Sequence, residues 1–407
     1  MIFAQENGRK MPKEDRIFAI SGRAKAQIAK EGKDAVINAT IGSLLDDQGD
    51  LVVLSSVVEA LSLLAPTDYA DYAPIGGTPA FKEGVKKAAF GSFVPSGTTE
   101  VCATPGGTGA IRNTVSNYSR PGDRVLTSDW FWGPYNTICQ ELGRSLTTYQ
   151  LFNEKGGFNL EGFSAKADEL VSSQGSLVIL LNTPAHNPTG YSLTDEDWRG
   201  VVDALAKSSA KGKITLFVDI AYIDFAGDEE EYRSFFPILE TLPEGVLPII
   251  GYSASKTLTL YGMRCGAMIC MAKDPEVAVE FKQVTEFSSR GTWSNCVRAS
   301  QALLAKIVES PELMAKVGDQ RGTYRNMLIQ RGKAFEKALR EEGLQSVPFD
   351  AGFFTCIPAD DPEAVSSALE GQGIYVVPLG KGVRVSIASI SEEKCIKTAK
   401  AIAKIMK

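Results

Sequence analysis

The sequence predicts an α/β fold in which a mostly parallel sheet lies between layers of helices. The first observation is a series of short apolar runs of strand length, at residues 177–181, 214–218, 247–252 and 267–271. The second is that the stretches between such runs, for example residues 194–209, are long enough to form helices. Continuous apolar strands that alternate with helices are typical of a parallel sheet that is covered on both faces.

A chain of 407 residues is long enough for more than one domain. We predict a large domain over residues 49–311, which contains the apolar strands. The C-terminal part, 312–407, differs: it has a charged helical stretch, three short strands at 353–357, 375–378 and 383–387, and a closing helix at 392–407. The strand-like run 34–41 has no local partner, so the N-terminal segment, 1–48, is predicted to join the C-terminal part in a smaller α+β domain.

Composition excludes several classes of protein. The chain has 43 basic and 49 acidic residues, a net charge of −6, and no cluster of Lys and Arg, so we expect no nucleic-acid partner. No apolar run approaches the length of a membrane span, and the first 16 residues have no signal-peptide core, so no membrane association is expected. Seven cysteines without a Cys-x-x-Cys pair predict buried, reduced thiols in a cytoplasmic protein.

The chain has a single histidine, His186. A zinc site built on several histidines is therefore impossible, and we predict no metal. A Ser-His-Asp or Cys-His system would have to use this one side chain. Proton transfer is left to Lys, Asp, Glu, Tyr or a cofactor.

Polar residues follow three neighbouring apolar runs at the point where each predicted strand ends. The first run leads into a loop that contains Asn187, the second ends at Asp219, and the third is followed by Ser253, Ser255 and Lys256. In parallel sheets, ligands bind beyond the carboxyl ends of the strands. We therefore expect these side chains to meet at one edge of the sheet.

Lys256 is flanked by serine hydroxyls and is followed eight positions later by Arg264. A lysine amine can form a Schiff base with an aldehyde, and serine and arginine can bind a phosphate. Pyridoxal phosphate (PLP) needs both, together with an acidic partner for its ring nitrogen. By itself each residue has a simpler interpretation: Lys256 as a surface charge, and Asp219 as a helix cap.

A glycine-rich turn that contains Gly107 and Thr108 precedes a helix-like stretch at 111–118 and offers backbone N–H groups to an anion. It is not a Walker A loop, because no Gly-Lys-Ser/Thr follows it. Taken alone, such a turn is also compatible with ordinary turn chemistry.

Together these motifs resemble the aspartate aminotransferase family of fold-type I PLP enzymes over nearly the whole chain. The matching pieces occur in the family's order: Tyr72 within Asp71-Tyr72-Ala73-Pro74-Ile75-Gly76-Gly77, Gly107-Thr108-Gly109, Trp132-Gly133, His186-Asn187-Pro188-Thr189-Gly190, Asp219-Ile220-Ala221-Tyr222, Ser253 and Ser255 before Lys256, Arg264, Arg290 with Ser294-Asn295, and Arg384.

The resemblance implies roles for these residues. Lys256 would form the Schiff base and, once released, move a proton from the substrate α-carbon. Asp219 would keep the ring nitrogen protonated, Asn187 and Tyr222 would hydrogen-bond the phenolic oxygen and lower the Schiff base pKa, and Trp132 would stack on the ring. The phosphate would be bound by Gly107, Thr108, Ser253, Ser255 and Arg264, and by Tyr72 from a second subunit.

The resemblance also implies a substrate site. Arg384 and the backbone of Gly42 would bind the α-carboxylate, and Arg290 would reach a distal carboxylate in the neighbouring subunit's site. The sequence departs from the family's pattern at a few positions. Gly106 stands where a hydroxyl residue is common, Tyr135 stands where a histidine is common, and Gly291-Thr292-Trp293 follows Arg290 in place of a proline-containing run.

We therefore predict a cytoplasmic, homodimeric PLP-dependent aminotransferase with shared active sites. It would exchange an amino group between an L-amino acid, with aspartate or glutamate first and aromatic amino acids second, and a 2-oxo acid such as 2-oxoglutarate. One alternative is another fold-type I reaction, a β-lyase or a decarboxylase. A second is a non-catalytic PLP-binding sensor, which the presence of Arg384 disfavours.

Overall fold

The computed structural model describes Phe3 and residues 15–407. This part of the chain divides into two compact units. The first contains Val53–Thr183 and Leu193–Gln320, and the second contains residues 15–52, Pro184–Ser192 and Arg321–Lys407. The domain boundaries placed after residues 48 and 311 by sequence reasoning stay predictions.

The loop Pro184–Ser192 belongs to the second unit, although sequence reasoning placed it within the large domain. Its hydrogen bonds explain this. The Ser192 N–H donates to Asp350 Oδ2 over 2.7 Å, and the Asp350 N–H donates to the Gly190 carbonyl over 3.0 Å. A sequence pattern gives no sign of such bonds, because their partners are more than 150 positions apart.

The first unit is built on a sheet that has seven strands within the described residues. Its strands lie in the spatial order Thr98–Pro105, Cys265–Ala272, Val246–Ser253, Lys213–Asp219, Ser176–Asn182, Arg124–Ser128 and Ser145–Tyr149. The four predicted apolar strands are neighbours in it. Cys265–Ala272 is antiparallel to both of its neighbours, and the other pairs are parallel. The connection before Cys265 is too short for a full crossover helix, so this strand turns back on the preceding one.

Helices cover the sheet of the first unit. Residues 195–208 form one of them, because the Thr194 side chain and Asp197 make a capping box at its start. A buried core that includes Phe217, Ile249 and Phe281 lies between strands and helices. The α-helices of this unit are Ser55–Ser62, Thr67–Ala70, Pro79–Phe90, Gly106–Tyr118, Pro134–Glu141, Leu160–Gln174, Asp195–Ser208, Phe235–Leu239, Ala254–Thr257, Pro275–Thr292 and Arg298–Glu309.

The second unit combines two small sheets with helices. Val377–Leu379, Gly382–Ser386 and Phe354–Pro358 form an antiparallel sheet in that order, and Ile37–Asn38 pairs in parallel with Ile374–Tyr375. The predicted strand 375–378 is therefore split between two sheets. The helices of this unit are Arg16–Glu31, Pro362–Glu370, Glu392–Met406 and residues 321–341 of the long helix Pro311–Glu341.

The pairing of Ile37–Asn38 with Ile374–Tyr375 joins the N-terminal segment to the C-terminal part. Side chains from both parts share one core, in which Ile37, Phe335, Val385 and Ile402 are at most 2% exposed. This confirms the predicted fold class: an α/β unit with a mostly parallel sheet, and a smaller α+β unit formed by the two ends of the chain. None of the described helices combines the length and the apolar character needed to span a lipid bilayer.

Candidate active site

Asp219 and Lys256 lie at the same edge of the large sheet. Asp219 is the last residue of the strand Lys213–Asp219, and Lys256 is in the short helix Ala254–Thr257 that follows the neighbouring strand Val246–Ser253. The two strands are parallel, and Asp219 pairs with Gly251. Because neighbouring parallel strands end at the same edge of the sheet, the two ionisable side chains both lie at that edge.

The Asp219 carboxylate is buried, with 6% of the residue exposed. Its Oδ2 accepts a hydrogen bond from the Tyr135 hydroxyl over 2.8 Å, and its Oδ1 accepts one from the Ala221 N–H over 3.2 Å. Burial raises the pKa of Asp219 to about 6, although both hydrogen bonds act in the opposite direction. A carboxylate that is costly to ionise in this way is stabilised by a cation, such as a protonated ring nitrogen.

Tyr135 is the partner of Asp219 that sequence reasoning did not predict. It was noted only as a departure from a family pattern. Its ring is buried and meets Trp132 edge to face, with 5.7 Å between ring centroids. Burial, and then the nearby Asp219 charge, raise the pKa of Tyr135 well above its usual value, so it acts as a neutral donor. The sequence signal that could have identified Tyr135 as a site residue is a polar aromatic side chain on the inner face of the helix Pro134–Glu141.

The Lys256 amine lies against two tyrosine rings. Its Nζ is 4.5 Å from the ring centroid of Tyr261 and 5.6 Å from that of Tyr222. Tyr222 is only 6% exposed. A cation above the face of an aromatic ring is attracted by it, so the two rings favour this position of the amine. Sequence reasoning included Tyr222 among the site residues and gave Tyr261 no role.

The turn predicted to bind an anion lies at the start of the helix Gly106–Tyr118. This helix begins five residues earlier than predicted, so that Gly107 and Thr108 are in its first turn. Within the described residues no side chain caps this end. The first N–H groups of the helix are therefore open to an anion, and the helix dipole favours a negative charge there.

Arg264 completes this turn. Its Nη1 donates to Ser255 Oγ over 3.1 Å and to the Tyr261 carbonyl over 3.1 Å. A Cβ added at Gly106 would overlap the Arg264 guanidinium. With a side chain at position 106, the Arg264 guanidinium would therefore have to move from the position it has here. The departure at Gly106 removes a hydroxyl and leaves the space beside the turn to the Arg264 guanidinium. Ser253 is buried close to Gly107, since a Cβ at Gly107 would lie 3.5 Å from Ser253 Cβ.

The second unit holds a buried arginine, Arg384, which is 3% exposed. Its Nη2 donates to the Thr40 carbonyl over 2.7 Å, and its Nη1 lies 3.4 Å from Asn187 Oδ1. The guanidinium carbon is 4.3 Å from the ring centroid of Phe354. These contacts fix the plane of the guanidinium, which is the group best suited to bidentate binding of a carboxylate.

Gly42 is close to the same group of residues. A Cβ at Gly42 would overlap the Phe354 ring that packs on Arg384, so a larger residue there would displace the ring. Asn187 is 6% exposed, and its amide oxygen faces Arg384. Sequence reasoning assigned Asn187 to the cofactor and did not anticipate this contact.

Two of the predicted residues lie at the surface of the first unit. Tyr72 is 83% exposed, and the Arg290 guanidinium donates from Nη1 to Ser294 Oγ over 2.6 Å. The two segments are joined, because Asn295 Nδ2 donates to the Ala73 carbonyl over 2.7 Å. Their functional groups point to solvent in a single chain.

The amine of Lys256, the buried carboxylate of Asp219 and the turn around Arg264 match the aldehyde, the ring nitrogen and the phosphate of PLP. Fold and site together therefore define a PLP-dependent enzyme. A family model described as aminotransferase class I and II matches residues 34–402. The chain belongs to this family, as its motifs predicted, and is a PLP-dependent transaminase.

Curated relatives cover almost the same length. The chain is 28% identical over 400 residues to the aromatic-amino-acid aminotransferase of Paracoccus denitrificans. This alignment covers 96% of this chain and 97% of the relative. It is 27% identical over 367 residues to the mitochondrial aspartate aminotransferase of Xenopus tropicalis, over 87% of this chain and 83% of the relative. Among solved structures, an aminotransferase from Anaerococcus prevotii superposes with a TM-score of 0.97 at 36% identity, with full coverage of both chains.

Proposed function

We propose that this transaminase transfers the amino group of aspartate or glutamate to a 2-oxo acid such as 2-oxoglutarate, with aromatic amino acids as the second class of donor. The observation that carries the proposal is the buried Asp219, at the same sheet edge as Lys256. The relatives named as aspartate and as aromatic-amino-acid aminotransferases support these two donor classes.

When bound, PLP supplies a carbonyl that links to the amino group and a ring that accepts the electron pair of the substrate α-carbon. The chain supplies the rest. Lys256 holds the cofactor covalently and, when its amine is free, moves the proton of the α-carbon. Asp219 keeps the ring nitrogen protonated, because a cation offsets the cost of its buried charge. Tyr222 and Asn187 would hydrogen-bond the phenolic oxygen of the cofactor, and Trp132 would stack on its ring.

The phosphate is assigned to groups that surround the start of the helix Gly106–Tyr118. The bond between Arg264 and Ser255 supports this assignment, since it holds the guanidinium beside the free helix N–H groups. The residues assigned are Gly107, Thr108, Ser253, Ser255 and Arg264, together with Tyr72 of a second copy of the chain.

The substrate α-carboxylate is assigned to Arg384 and the backbone of Gly42. Arg384 is buried, and its guanidinium carbon lies 4.3 Å from the centre of the Phe354 ring, so its fork loses little freedom on binding a carboxylate. This supports an α-amino acid as the substrate, because every such substrate carries a carboxylate on the reacting carbon.

The distal carboxylate of aspartate or glutamate is assigned to Arg290 from a second subunit of a homodimer. Tyr72 and Phe287 are both 83% exposed in the single chain, which supports their burial in an assembly. The buried, unpaired thiols of all seven cysteines support a reducing compartment, in agreement with the predicted cytoplasmic location.

A donor-by-acceptor screen tests the function. Holoenzyme is mixed with aspartate, glutamate or phenylalanine in the absence of an oxo acid. We expect one equivalent of the matching 2-oxo acid per site, with loss of the visible band of PLP, and multiple turnovers only after 2-oxoglutarate is added. Continuous release of carbon dioxide or ammonia without an acceptor would identify a decarboxylase or a β-lyase, and no product with any donor would favour the sensor.

A further inference from the structure

The buried carboxylate of Asp224 lies outside the assigned site and connects two chain segments that carry site residues. The side chains of Asp224 and Arg233 are 4% and 5% exposed, and Arg233 Nη2 lies 2.9 Å from Asp224 Oδ1. The other carboxylate oxygen, Oδ2, accepts a hydrogen bond from the hydroxyl of Thr257 over 2.6 Å. Both oxygens of this carboxylate are thus used, and Thr257 is itself 3% exposed.

Arg233 anchors this carboxylate to a rigid element. Its Nε donates to the Ala89 carbonyl over 3.0 Å, and its Nη2 donates to the Ala88 carbonyl over 3.0 Å. These carbonyls belong to the last turn of the helix Pro79–Phe90. A cation at this end interacts favourably with the helix dipole, so the arginine is fixed both by charge and by hydrogen bonds.

The position of the two partners in the chain gives the network a role. Thr257 directly follows Lys256, and Asp224 comes two residues after Tyr222. We propose that Asp224 is a positioning residue, whose carboxylate joins the turn that carries Tyr222 to the turn that carries Lys256 and so fixes the distance between the phenol and the amine. The inference rests on the proposed roles of those two residues. The 5.6 Å between Lys256 Nζ and the Tyr222 ring is the geometry that the network maintains.

Removing Asp224 itself is a poor test, because a buried Arg233 without its partner destabilises the whole protein. Thr257→Val is sharper: it keeps the ion pair and nearly the same volume, and removes only the hydrogen bond to the carboxylate. Thr257→Ser restores the hydroxyl. The matched control is Thr285→Val, since Thr285 is fully buried and its hydroxyl has no hydrogen-bond partner within the described residues.

Three measurements separate positioning from plain stability. The pH titration of the visible absorbance of holoenzyme reports how well the Tyr222 phenol supports the lysine–cofactor linkage. We expect the apparent pKa of the linkage to rise in Thr257→Val, because a displaced phenol no longer lowers it. Misplacement of about 1 Å at a reacting centre can cost on the order of 100-fold in rate, so we expect kcat to fall about tenfold with KM nearly unchanged. Thermal unfolding measures the loss of stability.

The expected pattern is a shifted pKa and a lower kcat in Thr257→Val, recovery of both in Thr257→Ser, and wild-type values in Thr285→Val. A lower melting temperature with the pKa and kcat of the wild type would overturn the inference, because Asp224 would then serve stability alone. Borohydride reduction and peptide mapping of the wild type accompany these assays. Cofactor on a lysine other than Lys256 would instead refute the proposed site.

Discussion

The Tyr135 hydroxyl donates a hydrogen bond to Asp219 Oδ2 over 2.8 Å, with both side chains buried. Burial raises the pKa of Asp219 to about 6, and the bond from Tyr135 opposes part of that rise. Because the pKa of Tyr135 is raised well above its usual value, the tyrosine keeps its proton at neutral pH. A donor that does not titrate thus helps to keep the carboxylate ionised.

Tyr135→Phe removes this donor and keeps the ring. The pKa of Asp219 should rise further, so that at pH 6 a larger fraction of apoenzyme carries a neutral carboxyl, which cannot pair with the ring nitrogen. A hydrogen bond to a charged group contributes about 1.5–3 kcal/mol, and we expect roughly tenfold weaker PLP binding at pH 6, with a smaller loss at pH 8. Quenching of tryptophan fluorescence in apoenzyme measures the affinity.

Tyr149→Phe is the matched control for this variant. Tyr149 is 4% exposed, and its hydroxyl has no hydrogen-bond partner in the described part of the chain. It should bind PLP as the wild type does. An equal loss of affinity at both pH values in Tyr135→Phe would show that the tyrosine acts by packing and not through Asp219.

Asp219→Asn should stabilise the apoenzyme while it abolishes function. The carboxyl has a pKa of 3.8 when unperturbed and about 6 in the fold, so between these values the folded chain binds more protons than the unfolded one. Stability therefore falls as pH rises through that window and stays lower above it. The shift of about 2 units corresponds to a loss of roughly 3 kcal/mol in the free energy of unfolding. The Asp219→Asn variant should regain this stability at pH 7 but not at pH 4, where the carboxyl is mostly protonated in the folded wild type.

Chemical denaturation of both apoenzymes at pH 4 and pH 7 gives the comparison, because other carboxyl groups contribute equally to each protein. Turnover of the loaded asparagine variant should fall by orders of magnitude, since the ring nitrogen loses its anionic partner. A stability difference that does not depend on pH would mean that Asp219 is ionised at little cost. Nearly normal turnover would leave it the role of a cap.

Lys256→Ala should retain PLP through its phosphate contacts and lose nearly all turnover, because both the covalent link and the proton carrier are removed. Borohydride followed by peptide mapping should place the label on Lys256 in the wild type and leave the variant unlabelled. Lys213→Ala, at an exposed lysine that begins the strand leading to Asp219, is the control and should behave as the wild type.

Arg290→Ala should change the choice of substrate. A desolvated arginine–carboxylate pair is worth about 2–5 kcal/mol when one partner is removed, so kcat/KM for aspartate should fall by a large factor. Phenylalanine, which has no distal carboxylate, should be affected much less. Arg120→Ala, at another exposed arginine, is the control. Equal losses on both substrates would indicate that Arg290 stabilises the assembly, and unchanged kinetics on both would exclude it from the site.

The central strands and their terminal residues could be predicted because a buried parallel strand leaves a continuous apolar run. The run that ends at Asp219 and the run before Lys256 are such cases. The start of the helix Gly106–Tyr118 was missed because glycines are poor helix formers, and here Gly106 has a positive φ of 72° at the first position of the helix. The split at Val376 follows from pairing with two different sheets, which local sequence does not reveal.

The polar contacts behind the site were beyond prediction for a different reason. Tyr135 is 84 positions from Asp219, and Asp224 is 33 positions from Thr257. Each residue alone is compatible with many environments, and only the packed fold selects the partner. Sequence reasoning therefore proposed by motif the groups expected to face the cofactor, and it missed Tyr135 and Asp224, which contact Asp219 and Thr257.

The close approach of Gly106 to Arg264 makes these two positions epistatic. A serine introduced at 106 would overlap the guanidinium, and the backbone there has a φ of 72°, which favours glycine. The guanidinium is the far end of a flexible side chain and can move aside, whereas the positive φ at 106 belongs to the backbone and would remain as strain. Grafting a hydroxyl-bearing phosphate loop from another transaminase onto this chain would thus displace the Arg264 guanidinium as well as add a hydroxyl, so the two phosphate contacts would change together.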